Sequence, residues 1–426
     1  MKRAIVVGSG AGGAAAAMEL QGIFDVTVLE AGREFKPFSM NLRIPGALKK
    51  AGLLFDEREI GFIFPPMDIR RARDKMILVR GIGTGGTTTI AAGNALRLDH
   101  DLRRLGIDLD DEFKALSREI PMTAEHRRLW REPTRRLFRI CGDMGLDPQP
   151  IPKMGHYERC RSCGRCVLGC PHGVKWDSRI FLREAVAKGA ALVTGMNVER
   201  VVIEAGGAKG VWAGTGRRRR FIPADVVVLA AGGLGTPVIL ADSGIACEPR
   251  LFVDPVLCLA APWPKARQNS EIPMPFFVRK EGYIVSPYFD HLSYFFNRKW
   301  KPPADDILSL MIKLADTNAG SIAGKKAEKG LSPRDVGTLK GAVDFCTEIF
   351  GRMGVGKDDL FLGTINAGHP GGMLPLTARE SATLHHERLP GNLHVADASL
   401  LPAALGAPPS LTIMALARKV AAKIKG

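Results

Sequence analysis

Residues Ala4 to Gly32 read AIVVGSGAGGAAAAMELQGIFDVTVLEAG. The run Ala4 to Val7 predicts a strand buried on both faces, and Gly8, Gly10 and Gly13 supply a G-x-G-x-x-G turn. Ala14 to Leu20 holds good helix formers and no β-branched residue, so a helix follows at once. Gly8 makes the tight turn, Gly10 lets backbone approach a diphosphate, and Gly13 lets helix and strand pack closely. The diphosphate would sit on the helix N-terminus, where free N–H groups and the dipole favour an anion. A second strand, Asp25 to Leu29, ends on Glu30, the acid that such a unit places on a ribose hydroxyl about 20 residues after the turn. A glycine turn alone is weak evidence, because phosphate-free turns share the spacing. Strand, turn, helix, strand and acid in this order point to a dinucleotide, and Glu30 suits an unphosphorylated ribose, which favours FAD or NAD over NADP.

The chain has 426 residues, enough for a large core and two or three structural units. No window resembles a transmembrane helix of about 20 apolar residues. The first strand begins within three residues of Met1, leaving no room for a signal peptide, so a cytoplasmic protein is expected. The formal charge is +16, with basic clusters at Arg70, Arg71 and Arg73, from Arg127 to Arg139, and from Arg217 to Arg220. Aromatic residues do not interleave with them, so nucleic acid is not an expected partner. A solvated face with a basic hairpin tip accounts for the charge. The alternatives are an acidic protein partner or peripheral contact with an anionic membrane.

Glu34 to Met76 is rich in Pro and Gly and reads as irregular. It leads to RGIGTGGTTTIAAGNALR, Arg80 to Arg97, where backbone N–H and hydroxyl donors at Gly85, Gly86, Thr87, Thr88 and Thr89 could embrace a diphosphate or a flavin edge. Helices are predicted from Asp108 to Leu146, with Asp110 as an N-cap and a second helix from Thr134 into Ile140.

Next come Cys160, Cys163, Cys166, Cys170 and Pro171, a C-x2-C-x2-C-x3-C-P run that matches bacterial ferredoxins holding [4Fe–4S] clusters. Four of the eight cysteines fall in eleven residues, and a cytosolic chain keeps them as thiols. This spacing suits iron–sulfur better than zinc, which usually takes two separated pairs; a metal-free role is the other alternative. In two-cluster ferredoxins the fourth cysteine serves the other cluster, so Cys160, Cys163 and Cys166 are firmer ligands than Cys170. Cys141, Cys247, Cys258 and Cys346 are the possible remote substitutes, each also readable as a buried small hydrophobe.

A helix from Asp177 to Ala187 leads to strands Ala191 to Met196, Glu199 to Glu204, Lys209 to Ala213 and Arg219 to Pro223, expected in one small antiparallel sheet. Asp225 to Leu229 reads as a buried parallel strand, followed by a helix entered at Pro237. Residues 251–364 include PYFDHLSYFFNRKW, Pro287 to Trp300, whose period of two predicts an antiparallel sheet forming the floor of a substrate cavity. Pro333 to Met353 is helical, Asn392 to Val395 is a strand, and the chain ends on a helix with basic residues in its last turn.

With these residues laid out, the chain resembles the glucose–methanol–choline (GMC) family of flavoprotein oxidoreductases over nearly its whole length. The likeness rests on the N-terminal fingerprint with Glu30, the Gly85-Gly86-Thr87 loop, GGLGTPVILADSGI at Gly232 to Ile245, His369-Pro-Gly-Gly, and NLHVADASLLPAALGAPPSLTIMALA near the C-terminus. The resemblance implies an α/β fold, α+β overall, with a Rossmann-like FAD-binding domain in three parts, 1–100, 179–250 and 365–426. A helical insertion with the cysteines would occupy 101–178, and a substrate domain with an antiparallel sheet 251–364. It further implies non-covalent FAD with Gly8, Gly10, Gly13 and Glu30 on its ADP half, Val198 at the adenine through backbone, and Gly85, Gly86, Thr87, Asp397 and Ala398 toward the flavin. Members acting on long-chain alcohols and sterols carry a stretch that Gly169 to Ser178 nearly repeats, but Cys166, which completes the ferredoxin run, is this chain's addition. The family usually sets a His and a second His or Asn over the flavin edge. His369 matches the first, and the second falls at Pro408, which has no side-chain donor or acceptor.

The resulting expectation is an alcohol oxidised with His369 as base, an imidazole with an ordinary pKa near 6.5. Electrons then leave through the cluster to a ferredoxin-like protein or a quinone, as in a dehydrogenase rather than an oxidase. Two alternatives stand beside it. One is the reverse flow, in which the cluster feeds a flavin that reduces a carbonyl or activated double bond. The other is an electron-transfer subunit without an organic substrate.

Overall fold

The computed structural model describes residues 1–40, 57, 60–215 and 218–425. Part of the irregular stretch expected before Met76 (41–56, 58 and 59) and Arg217 of the basic run lie outside the described residues.

The opening stretch builds the centre of a five-stranded parallel sheet. Lys2–Val7 pairs with Phe24–Glu30 on one side and with Val226–Leu229 on the other, and Leu393–Val395 and Ala191–Thr194 form the edges. Ala4 to Val7 and all of Val226–Leu229 are buried, as a parallel sheet covered on both faces requires. Ala11–Leu20 follows the glycine turn and packs against Ser410–Lys425 and Arg179–Ala187. Four of its alanines, Ala14 to Ala17, are fully buried, and their small size lets three helices crowd together. A Cβ on Gly13 would lie 2.0 Å from the Gly8 carbonyl oxygen, and one on Gly12 1.7 Å from that of Ala396.

Ala191–Thr194, expected in the antiparallel sheet, instead extends the parallel one; its register with Thr27 to Glu30 leaves only three strands, Asn197–Glu204, Gly207–Thr215 and Arg218–Pro223, for the smaller sheet. Val198, Val201, Val211 and Ala213 of that sheet join the core of the first.

The second unit is built on a nine-stranded sheet. Its order runs from Met67–Arg71 through Ile77–Gly81, Asn366–Ala367, Val256–Pro262, Ile307–Leu314, Tyr283–Pro287 and Phe276–Lys280 to Gln149–Pro150, with Phe361–Leu362 paired to Val256–Pro262. Met67–Arg71 lies inside the stretch expected to be irregular; its partners are Ile77–Gly81, across a tight turn. Pro287 to Trp300 does not continue as strand: after Tyr283–Pro287 the chain turns into the helix His291–Phe296, because the Asp290 carboxylate caps it by accepting from the Leu292 N–H at 3.0 Å. Asp110 is the first residue of Asp110–Glu119 rather than its N-cap, which is Leu109.

Along Ile307–Leu314 every residue is buried. Leu308, Leu310 and Ile312 pack with Leu339, Ala342, Cys346 and Phe350 of the long helix Pro333–Met353. The alternating set, Ile307, Ser309, Met311 and Lys313, faces the other way, and Met311 and Lys313 of it line a cavity.

Overpacking at the glycine turn should therefore cost more than helix propensity gains elsewhere. Gly13→Ala is expected to lower the unfolding free energy by about 3 kcal/mol or more, read as a fall in the urea midpoint. Gly142→Ala, in the helix Glu132–Asp143 with nothing within 4 Å of its added Cβ, should leave the midpoint unchanged or raise it slightly.

Candidate active site

A cavity of about 750 Å³ opens at the C-terminal ends of the parallel strands. Of the residues singled out in the sequence for a dinucleotide, Gly8, Gly10, Glu30, Gly86, Thr87, Val198, Asp397 and Ala398 line it. Gly13 and Gly85 do not. Gly13 is spent on the contact between turn and helix, and a Cβ on Gly85 would meet Thr89 and Arg179 side chains at 2.7 and 2.9 Å.

Glu30 is buried and its carboxylate is fully engaged within the protein. One oxygen accepts from the Ser9 N–H at 3.1 Å and the Ser9 hydroxyl at 2.6 Å, the other from Gly32 N–H at 2.8 Å and Gly83 N–H at 3.1 Å. Four donors fill the roughly four acceptor positions of a carboxylate. The acid expected on a ribose is thus also the tie between the glycine turn and the loop before Gly85. Asp397 does the same for the C-terminal segment: it accepts from Gly232 N–H at 2.8 Å, the Thr236 hydroxyl at 2.5 Å and Ser399 N–H at 2.8 Å, while burial raises its carboxyl above the usual range.

These residues fit a dinucleotide. A Cβ on Gly10 would have no atom nearer than the Gly86 Cα at 3.9 Å, so it would project into open cavity where a diphosphate is expected. Gly10, Ala11 and Gly12 line the cavity at the start of Ala11–Leu20, where first-turn N–H groups lack helical partners.

A second cavity, about 360 Å³, shares Thr87, Gly368, His369 and Ser410 with the first. Most of its wall is apolar, with Phe64, Met67, Ile90, Leu168, Phe295 and Phe296 among the contributors. Its polar lining includes Asn94, Asp290, His291 and Asn366, and Lys313 and His369 make a polar end, 3.9 and 3.8 Å from the same Asp254 oxygen. Pro408 lines the same cavity.

His369 sits where the two cavities meet, its side chain 21% exposed. Its Nδ1 is buried without a hydrogen-bond partner and lies 3.8 Å from Asp254 Oδ2, which is also buried and unpartnered. Burial, reinforced by the Lys313 charge, holds the imidazole pKa well below its ordinary value, so His369 is neutral through the physiological range. Asp254 Oδ1 accepts from Gly406 N–H at 2.9 Å, and burial pushes its carboxyl up to about 6 against the pull of Lys313. Lys313 Nζ donates to the Asp254 carbonyl at 2.8 Å and stands 3.9 Å from Asp254 Oδ2; burial brings its ammonium down to about 8. Behind them a buried Lys329–Asp316 pair at 2.7 Å fixes the segment, since Asp316 accepts from Val253 and Asp254 N–H groups. Asp254 and Lys313 are not among the residues singled out in the sequence. The available signal was a lysine at a cavity-side position of an otherwise apolar strand, ILSLMIKL.

Cys160, Cys163, Cys166 and Cys170 line one narrow pocket of about 10 Å³, together with Tyr157, His172 and Lys175. All four are free thiols, and the Tyr157 hydroxyl beside them is buried without a hydrogen-bond partner. Among the described residues no three His, Cys, Asp or Glu side chains stand in an arrangement ready to hold a metal ion. Cys141, Cys258 and Cys346 lie in the core of the second unit and Cys247 packs near Pro237, so none of the remote cysteines lines this pocket. Lys175 joins the pocket to the cofactor cavity: its Nζ donates to the Thr88 and Thr89 carbonyls at 2.6 and 2.9 Å.

Among the described residues no helix is long and apolar enough to cross a membrane. The fold matches a crystal structure of pyridoxine 4-oxidase from Mesorbium loti with a TM-score of 0.71, covering 99% of each chain at 17% identity. The sequence is 24% identical over 427 residues to an uncharacterized protein of Methanocaldococcus jannaschii, covering 98% of each. It is 28% identical over 272 residues to a long-chain-alcohol oxidase of Arabidopsis thaliana, covering 57% of this chain and 34% of that protein, so it spans about a third of that relative's length. The model of the GMC oxidoreductase family matches residues 3–257, more than half of the chain. The chain belongs to the GMC family of flavoprotein oxidoreductases.

Proposed function

We propose that the chain is an FAD-dependent dehydrogenase of an apolar alcohol. The observation that carries this reading is His369, a neutral imidazole at the junction of a cavity suited to a dinucleotide and an apolar cavity with one polar end. FAD, held by the Gly8 to Gly12 turn, Gly86, Thr87, Val198 and Asp397, would supply the hydride acceptor. The apolar wall takes up the alcohol's chain or ring and excludes water. Its hydroxyl reaches the polar end, His369 removes the proton from oxygen, and loss of hydride from the carbon leaves a carbonyl. A sugar would strand many hydroxyls against Phe and Ile side chains, at a cost for each one left unpaired. The Arabidopsis relative, by its name an oxidase of long-chain alcohols, agrees with that preference.

The cysteine pocket completes the proposal. Cys160, Cys163, Cys166 and Cys170 would hold a [4Fe–4S] cluster, with a ferredoxin-like protein or a quinone as the acceptor. Support comes from the spacing, the free thiols gathered on one pocket, and Lys175, which links that pocket to the cofactor cavity. The reverse flow, a cluster-fed reduction of a carbonyl or activated double bond, is a second reading favoured by Pro408, because a proline at that position offers His369 no side-chain donor or acceptor.

His369→Gln should slow reduction of the bound flavin by decanol at least about 10²-fold, with the flavin content unchanged and sugars inactive as donors throughout. Because the imidazole pKa is depressed, protonation removes the base only on the acid side. The wild-type kcat/KM for decanol should therefore stay level through neutrality and fall below the ordinary histidine range, not near 6.5 as a solvated imidazole would give. A level profile in strongly acidic buffer, or an active His369→Gln, would refute the base.

Anaerobically purified protein should carry about four irons per chain. Changing Cys160, Cys163, Cys166 or Cys170 to Ser should each lower iron content and leave the flavin in place. Zinc, or no metal, after such a preparation would remove the cluster from the proposal.

A further inference from the structure

We propose that Lys313 is a catalytic residue, its ammonium holding the substrate oxygen beside His369 in a role that Pro408, which lines the same cavity, has no side chain to fill. The inference rests on the apolar-alcohol reading and adds a second group to it.

Lys313 is the one charged residue of the fully buried strand Ile307–Leu314, and the period of two puts it on the cavity face with Met311. A buried ammonium is costly unless its protons are used. Among the described residues only the Asp254 carbonyl accepts from Nζ within hydrogen-bonding distance, at 2.8 Å, which leaves two N–H groups unspent. Asp254 Oδ2 at 3.9 Å is too far to take one. That same oxygen lies 3.8 Å from His369 Nδ1, so one carboxylate oxygen stands next to both side chains.

The protein therefore offers a cation with free donors and a neutral imidazole at the polar end of an apolar cavity. A hydroxyl there can donate to His369 while its oxygen accepts from Lys313. As the O–H bond breaks and the proton passes to His369, negative charge grows on an oxygen already facing an ammonium, and Asp254 faces the imidazolium that forms. Loss of hydride from carbon, to the FAD that the adjoining cavity would hold, then gives the neutral carbonyl. A preorganised donor to a developing oxyanion is commonly worth about 10²- to 10³-fold in rate.

The test uses decanoate, whose carboxylate mimics the alkoxide, and decanamide, its uncharged counterpart, titrated calorimetrically into the oxidised holoenzyme. Wild type should bind decanoate at least about tenfold more tightly than decanamide. Lys313→Met should lose that preference and slow decanol oxidation about 10²-fold in kcat, with the flavin content retained. Lys313→Gln, which keeps a polar group, serves if the methionine variant does not fold, and the wild-type preference is readable without any variant. Equal binding of the two probes by wild type, or unchanged preference and kcat in a folded variant, would overturn the assignment of Lys313 alone. If wild type neither binds a decyl probe nor oxidises decanol, the apolar-alcohol reading fails, and the role of Lys313 with it.

Discussion

One buried carboxylate holds the cofactor end of this protein together. Glu30 closes the second strand, and its oxygens collect Ser9, Gly32 and Gly83 into a single knot. Ser9 passes the connection on, its hydroxyl oxygen accepting from the Gly85 N–H at 3.1 Å. The glycine turn and the loop that follows Ile77–Gly81 belong to different sheets, yet they are set against each other by charge-assisted hydrogen bonds in a water-poor site, where such bonds are strongest. The contact is close enough that a Cβ on Gly86 would come within 2.8 Å of the Gly10 Cα. Shape at the dinucleotide site follows from that knot, and the place of the second cavity follows from the shape.

The second constraint is a small group of buried charges beside His369. Asp254, Lys313, Asp316 and Lys329 are all buried, and two positive and two negative groups balance there. Such pairs add little to stability, since desolvation offsets their attraction. Their effect is directional. Asp316 grips the backbone at Val253 and Asp254, and Asp254 carries both a left-handed φ of 50° and the carboxylate that faces His369. Backbone held in that region is strained, and it persists because the surrounding bonds over-determine it.

Local signals were legible in the sequence and distant ones were not. The glycine turn declared itself through strand, helix and acid in sequence, and Pro333–Met353 could be delimited because Ser332 and Asp335 form a capping box and Gly354 closes the helix with φ 89°. His291–Phe296 could not, because an aromatic run fits a strand or a helix and only the Asp290 cap decides between them. Met67–Arg71 and Ala191–Thr194 depend on neighbours supplied by other segments, which no periodicity within them reveals. At the site, most residues singled out by motifs line one of the two cavities, but Lys313 and Asp254 gain their meaning only when Ile307–Leu314, the segment before Val256–Pro262 and the turn at His369 converge. The sequence also assigned Glu30 to a ribose without foreseeing that the protein itself occupies its oxygens.

The alanine face of Ala11–Leu20 carries a consequence for how the molecule is made. That helix is covered by Ser410–Lys425, and the edge strand Leu393–Val395 joins the same sheet from nearly as far along the chain. Contacts of such sequence separation are slow to form, because a long loop must close before they repay it. The apolar helix is therefore made long before its partners, and part of its surface stays open to aggregation or chaperones until Arg179–Ala187 and then Ser410–Lys425 have been added. The edge strand, the terminal helix and the wall of the dinucleotide cavity thus depend on segments far along the chain, and a cofactor that binds only the closed form adds its binding free energy to that closure.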